Sequence, residues 1–317
     1  MGKITPAVRF EQSYESGESI ENMAAPMDGE VVLLTGGTSG LGREAALALA
    51  KRGASVAIVG RNRKRGQKVI EEIGARNGDG FAEYYRADLA SQRAIHRLTD
   101  EFRDRHDRLD CLVNNAGTFR ATREETLDGI EATLAINHLA PFLLTHRLAA
   151  LLGESTPARV ITVASGLHKK GEIRFEDLGF EKEYDEWDAY NQSKLANVLF
   201  AIELAERLPE GVTSNAVDPG FVPATALDRK GSLRGRAMLS ALSRLPLPSA
   251  ITVAEGAESI SRAVVDPTLQ GTTGAYLQDG EPVTSSDRTQ DERARTRLWD
   301  VSAGLVGVSP DASPLQS

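Results

Sequence analysis

Residues 31–53 read VVLLTGGTSGLGREAALALAKRG, an apolar run that breaks into glycines and then into an alanine-rich amphipathic stretch. The run VVLLT suits a strand buried on both faces of a parallel sheet, and the stretch behind it suits a helix. Gly36, Gly40 and Gly42 permit a tight turn, and their missing Cβ atoms let a ligand reach the backbone. The helix offers its unpaired N–H groups and positive dipole end to that turn, an arrangement suited to a pyrophosphate. Thr38, Ser39 and Leu41 complete the loop. Its Gly-x3-Gly-x-Gly spacing differs from the G-x-G-x-x-G dinucleotide fingerprint. A bare strand-to-helix turn would carry the same glycines, so the reading rests on what flanks them.

Outward from this turn the same alternation continues. Runs at 55–60 (SVAIVG), 111–115 (CLVNN), 159–165 (RVITVAS) and 213–219 (TSNAVDP) alternate with helical stretches at 41–52, 65–76, 91–106, 122–152 and 190–208. This pattern predicts an α/β fold, a doubly wound Rossmann-type parallel sheet with helices on both faces. One domain is expected over 28–308, preceded by a flexible arm at 1–27 and followed by a disordered tail at 309–317. Residues 226–250 interrupt the pattern with Gly, Pro and basic residues before ITVAEGAESISRAVV resumes a helix.

The chain has 317 residues, 41% of them hydrophobic, and 37 basic against 45 acidic groups give a net charge of −8. That acidic balance argues against nucleic acid as a partner, which needs basic surface to meet phosphates. The single cysteine, Cys111, excludes intramolecular disulfides and cysteine-cluster metal sites. No apolar run approaches the roughly 18 residues that span a bilayer, and the N-terminus is polar. A cytoplasmic protein with no transmembrane anchor is expected.

Six further stretches carry chemistry. The second strand ends in Gly60-Arg61-Asn62-Arg63, where a dinucleotide fold that prefers NAD places an acidic residue on the ribose hydroxyls. Here Arg61, with Arg63 nearby, offers a guanidinium to a 2′-phosphate, so NADP is the expected cofactor. Asp88, followed by Leu89, either accepts from an adenine amino group or caps the helix beginning near Ser91. Asn115-Ala116-Gly117 closes the fourth strand, at the carboxyl edge where open α/β sheets bind ligands. Asn137 lies in a helix whose interior should be apolar, where such a residue commonly satisfies nearby backbone. Ser165 ends the next strand, as a turn residue or as part of a site. Tyr190 and Lys194 stand four apart in Y-N-Q-S-K and so share one helix face. A phenol near pKa 10 is a poor proton donor or acceptor at neutral pH, and a neighbouring ammonium lowers that value.

Taken in chain order, T-G-G-T-S-G-L-G, N-N-A-G, Asn137, Ser165 and Y-N-Q-S-K resemble the short-chain dehydrogenase/reductase superfamily over roughly residues 28–305. Ile136-Asn137-His138-Leu139, Tyr190 to Asn197 and Leu298-Trp299-Asp300-Val301-Ser302 resemble its retinol dehydrogenase-like branch, as does the long interval from Ser165 to Tyr190. The resemblance implies that Tyr190 is the acid/base and that Ser165 polarises the substrate oxygen. It implies that Lys194 binds the nicotinamide ribose and lowers the Tyr190 pKa, and that Asn137 holds a water in the proton relay. Pro219, Gly220 and Val222 are implied in contact with the nicotinamide. The family usually places Thr or Ser four residues after that glycine, where this chain has Ala224 and then Thr225. The apolar N-terminal anchor of many retinol dehydrogenases has no counterpart in residues 1–27.

The expected activity is NADP-dependent interconversion of a carbonyl and an alcohol. Residues 221–250 fall where the superfamily builds a substrate lid, and Met238, Leu239, Ala241, Leu242 and Leu245 would present an apolar face to a lipophilic substrate. The same face would otherwise pack on the core, against a second copy in a homo-oligomer, or on a membrane surface aided by Arg229, Lys230, Arg234 and Arg236. The rival from another class is a redox sensor that binds NADP without turnover, which has no need of Tyr190, Lys194, Ser165 and Asn137 together. A biosynthetic ketoreductase or a protochlorophyllide reductase-like enzyme would share most of these motifs.

Overall fold

The computed structural model describes residues 26–77, 81–223 and 250–310. The alternation read in the sequence becomes β1 (Val31–Thr35), α1 (Gly40–Lys51), β2 (Ser55–Gly60), α2 (Arg63–Asn77), β3 (Ala82–Arg86), α3 (Gln92–Arg103) and β4 (Cys111–Asn114). There follow α4 (Ala132–Leu134), a π-helical turn (Ala135–Leu139), α5 (Ala140–Glu154) and β5 (Ala158–Val163). A 3₁₀ turn (Gly166–Lys170) leads to α6 (Glu186–Arg207), β6 (Val212–Asp218), α7 (Val253–Val265), β7 (Tyr276–Gln278), β8 (Glu281–Val283) and α8 (Glu292–Val306).

The strands form one sheet in the order β3-β2-β1-β4-β5-β6-β7-β8, parallel except for the final β7–β8 hairpin. The order reverses between β1 and β4, so their carboxyl ends open a crevice at the switch point, where such sheets bind ligands. Both faces are covered. Val32, Leu34, Val56 and Ile58 pack on α1 and α7, while Leu33, Val59, Leu112 and Val160 pack on the side of α3, α5 and α8. This two-sided burial explains why the strands are continuously apolar rather than alternating.

Several expectations shift. Residues 122–152 do not form one helix. A loop with a Thr126-to-Gly129 turn (Gly129 at φ +75°) comes first, and Glu131 starts the helix by accepting from the N–H groups of Thr133 and Leu134. The helix then widens into the π turn, with Ala140 N–H donating to Ala135. Asp88 does not cap α3. Ser91 does, accepting from Ala94 N–H, while Asp88 accepts from Ala90 in its own turn. Met27, placed in the N-terminal arm, is buried and its N–H donates to the Arg52 carbonyl, so packing begins before residue 28. The rest of the arm, most of the 221–250 segment and the tail from 311 lie outside the described residues.

Candidate active site

The glycine turn is tied to the end of β4 by one hydroxyl. Thr35 Oγ1 accepts from the N–H groups of Asn115 (2.9 Å) and Ala116 (3.0 Å), and Asn115 Nδ2 donates to Thr35 O at 2.7 Å. Along β4 the side chains alternate. Asn114 points to α5, where Thr145 Oγ1 lies 3.4 Å away, and Asn115 points to the glycine turn. The packing leaves no room for side chains at two of the glycines. A Cβ at Gly42 would sit 2.4 Å from Asn115 Nδ2 and 2.6 Å from Gly36 O, and one at Gly36 would sit 2.9 Å from Asn115 Nδ2.

Gly40 differs. Its backbone is left-handed (φ +56°) and the space above its Cβ position is open. Ser39 at the α1 N-cap makes no side-chain cap, and the first turn carries no acidic residue. By contrast Ser91, Asp185, Thr252 and Asp291 all cap their helices. The leading N–H groups of α1 are thus left unfilled beside an open space, which fits a dinucleotide pyrophosphate. Arg61 and Arg63 are exposed at the carboxyl end of β2, as is Asp88 after β3, whereas Leu89 is buried. On the other side Leu41, Val222 and the Pro219 carbonyl all close on Gly256 of α7, at 2.8, 2.9 and 3.0 Å from its Cβ position. Gly220, at φ +82°, makes the turn between Pro219 and Phe221, and its Cβ would strike Ile251. The predicted cofactor residues of these loops therefore follow the carboxyl ends of β1, β2, β3, β4 and β6. Gly117, after β4, is exposed.

The candidate catalytic residues lie around the end of β5. Lys194 Nζ is buried, donates to Val163 O at 3.0 Å and lies 5.6 Å from the centre of the Tyr190 ring. Burial pushes the ammonium down to about 8, and the Asp218 carboxylate opposes that fall. Ser165 accepts from Leu167 N–H at 3.3 Å and so keeps its own proton for another oxygen. It caps the 3₁₀ turn, two residues beyond the Val163 carbonyl that holds Lys194. His168 fixes this turn. Its Nε2 accepts from Ser286 N–H, so its Nδ1–H donates to Ser165 O at 2.8 Å, and burial holds the ring below its usual pKa.

Asn137 bears out its backbone-satisfying reading. Its Oδ1 accepts from Thr118 N–H at 2.7 Å, and its Nδ2 donates to Thr118 O at 3.0 Å and Ser193 Oγ at 2.9 Å. The side chain is thus held by Thr118 and Ser193. Ser193 in turn donates to Tyr190 O at 2.7 Å, so the π turn braces the helix that carries Tyr190.

The motifs read in the sequence did not include the aromatic residues packed beside Tyr190. Phe119 packs edge-on to Trp187 (4.9 Å) and Tyr190 (5.5 Å), an aromatic wall beside the phenol. Trp187 precedes Tyr190 by one helical turn, the spacing that could have flagged it. His138 donates to or accepts from Ser302 at 2.8 Å across 164 residues of chain, and burial pushes it down to about 4.

The family model for short chain dehydrogenase matches residues 30–233. Bovine retinol dehydrogenase 12 is 39% identical over 281 residues, covering 88% of this chain and 87% of that protein. A protein of Streptomyces sp. (strain C5) named for daunorubicin C-13 ketoreduction, DnrU, is 36% identical over 282 residues, covering 89% of this chain and 94% of its own. A crystal structure of a short chain dehydrogenase from Burkholderia cenocepacia J2315 in complex with NADP is 30% identical with a TM-score of 0.64, covering 80% of this chain and 98% of that one. No helix among the described residues is long and apolar enough to cross a membrane. With the crevice, the Tyr190–Lys194 pair and these relatives in agreement, this chain belongs to the short-chain dehydrogenase/reductase family, in its retinol dehydrogenase-like branch, and is an oxidoreductase acting on CH–OH groups.

Proposed function

We propose that the protein reduces the carbonyl of a lipophilic small molecule to an alcohol, reversibly, with NADPH. The observation that carries the reading is the Lys194 ammonium, buried on Val163 O and 5.6 Å from the Tyr190 ring centre. NADPH, when bound, supplies the hydride. The open α1 terminus and Gly40 would hold its pyrophosphate, and Arg61 with Arg63 its 2′-phosphate.

Tyr190 Oη–H gives its proton to the carbonyl oxygen as charge develops there, and Ser165 Oγ–H orients the same oxygen. Positioned proton transfer of this kind typically contributes roughly 10²–10⁴ in rate. Lys194 favours the phenolate left behind, which makes the phenol a stronger acid. The Asn137 backbone carbonyl would hold the water that returns the proton. Phe119 and Trp187 present an apolar flank to the substrate, which supports a lipophilic compound over an acetone-sized one. The ketoreductase relative points the same way.

NADPH oxidation followed at 340 nm across ketones and aldehydes of graded size tests this. Medium-chain or polycyclic carbonyls should show the highest kcat/KM, and absence of turnover on every carbonyl would refute it in favour of an NADP-binding sensor.

A further inference from the structure

One of the buried acidic side chains that the mechanism does not use lies against the turn after β5. Asp218 ends β6 at 6% exposure. Tyr276 Oη donates to its Oδ2 at 2.8 Å and Gly220 N–H donates to its Oδ1 at 3.0 Å. Both oxygens therefore accept a hydrogen bond. The group lies against the catalytic turn, its Oδ2 3.2 Å from the Cβ position of Gly166. On the adjacent strand Val163, whose carbonyl carries Lys194 Nζ, is in register with Val217, the residue before Asp218. Two residues before Asp218, Ala216 packs with Val198 and Ala201 of α6, so by strand alternation Asp218 lies on the α6 side of the sheet, the side from which Lys194 reaches the end of β5.

We infer that Asp218, clamped by Tyr276 and the Gly220 N–H, is a positioning residue for the catalytic pair, the counter-charge that keeps Lys194 an ammonium. The inference rests on the proposed reductase reading and deepens it. An isolated buried ammonium is costly, and a group in that position tends to neutralise unless a partner compensates. The other titratable neighbours do not supply that charge. His168 on the 3₁₀ turn and His138 on the π turn are held neutral by burial. Tyr276 on β7 has its pKa raised by burial and by Asp218 itself, so it stays a neutral donor. Tyr190 on α6 is the group being tuned, and Lys169 is an exposed cation. Among the described residues, Asp218 alone pulls Lys194 upward against burial.

Removing the carboxylate lowers the affinity of Lys194 for its proton. It also removes a negative charge near Tyr190, which lowers the phenol directly. For carbonyl reduction, which needs Tyr190 protonated and Lys194 charged, both effects move the alkaline limb of the pH profile to lower pH. The limb belongs to the coupled pair rather than to either residue. A role confined to packing would lower activity without moving the limb.

The experiment reads Lys194 directly. The chain has nine lysines, few enough for 13Cε-lysine NMR with Lys194→Met as the assigning variant. In Asp218→Asn, which keeps the shape, Lys194 should titrate about one unit lower than in the wild type. The alkaline limb of kcat/KM for NADPH-dependent reduction should follow it. Asp218→Ser provides the same reading where the Asn variant does not fold, and Tyr276→Phe, which keeps the charge, should not lower the titration. A lower Lys194 titration in a protein that reduces no carbonyl sinks the reductase reading and keeps this inference. An active enzyme whose Lys194 titrates unchanged in Asp218→Asn and Asp218→Ser overturns it, as does a fall in Tyr276→Phe.

Discussion

Lys194 and Asn197 donate to the same carbonyl, Val163 O, at 3.0 and 3.1 Å. The two side chains leave α6 one residue short of a full turn apart and meet at the last residue of β5, so one acceptor fixes both. The Asn197 amide also lies close enough to His138 to favour its protonated form, and each keeps a buried atom without an in-line partner, Asn197 Oδ1 and His138 Nδ1. With His138 Nε2 on Ser302, this makes a polar path from α8 through the π turn to the Lys194 ammonium. In Asn197→Leu the Val163 carbonyl is left to Lys194 alone, and buried polar groups lose compensation worth about 1–3 kcal/mol. The expected outcome is a lower urea midpoint together with a roughly tenfold drop in kcat. Full activity in that variant would show that Lys194 needs no second donor on its acceptor.

Tyr190→Phe should abolish turnover, by roughly 10²-fold or more, while NADPH affinity stays near that of the wild type. The ring packs edge-on against Phe119, and phenylalanine preserves that contact. Lys194→Ala should weaken cofactor binding and rate together, because it removes both the ribose ligand and the charge beside the phenol. Fluorescence titration of NADPH separates the two variants.

How far the sequence could be read follows from the range of each interaction. The glycine turn, the apolar strands and the Tyr190–Lys194 spacing are local patterns, and all of them reappear in the fold. The loop before α4 had a local signal, Asp128-Gly129 at a tight turn, but the apolar periodicity of 130–152 masked it. The β7–β8 hairpin was equally legible in Asp279-Gly280, whose positive φ values of 53° and 82° suit a two-residue turn. The His138–Ser302 and Tyr276–Asp218 contacts span 164 and 58 residues, and no spacing rule reaches that far.

Stability should fall as the pH drops from neutral. His138 is buried and held at about 4, below its ordinary value of 6.5. Above pH 6.5 the folded and unfolded chains bind the same number of protons at this ring. Between 6.5 and 4 the unfolded chain takes up a proton that the folded one refuses, so stability is lost by about 1.4 kcal/mol per pH unit. Below 4 the contribution is flat. His146 and His168, lowered in the same direction, add to the slope. Urea unfolding at pH 7.5, 6.0 and 5.0 gives the slope, and His138→Gln should make it shallower. An identical slope in that variant would mean that the ring titrates freely in the fold.

Gly42→Ala should disable the cofactor site even though alanine is the better helix former. The new Cβ would meet Asn115 Nδ2 and the Gly36 carbonyl, and the second is backbone that cannot swing aside. Either the turn opens or Asn115 lets go of Thr35, and both displace the loop. NADPH affinity is expected to fall by more than tenfold. Binding at wild-type strength would show that the turn is looser than its packing implies.

Cofactor choice supplies the sharpest test because the structure dictates which variants can be built. Arg61→Ala should cut the preference for NADPH over NADH about ten- to hundredfold, since a hydrogen bond to a charged partner is worth roughly 1.5–3 kcal/mol. The usual way to favour NADH is a carboxylate at position 60, which bonds the ribose hydroxyls and repels the 2′-phosphate. Here a Cβ at Gly60 would lie 2.5 Å from Thr38 Cγ2. Gly60→Asp alone should therefore strain the glycine loop and weaken both cofactors. Thr38→Ser removes that methyl and keeps the hydroxyl, so Thr38→Ser with Gly60→Asp and Arg61→Ala should restore binding with NADH preferred. The measurement is kcat/KM for each cofactor at two salt concentrations, because screening weakens exposed ion pairs. If Gly60→Asp alone already gives a fully active NADH enzyme, Thr38 does not set the space beside the ribose, and if Arg61→Ala leaves the ratio unchanged, Arg61 is a solvated loop residue.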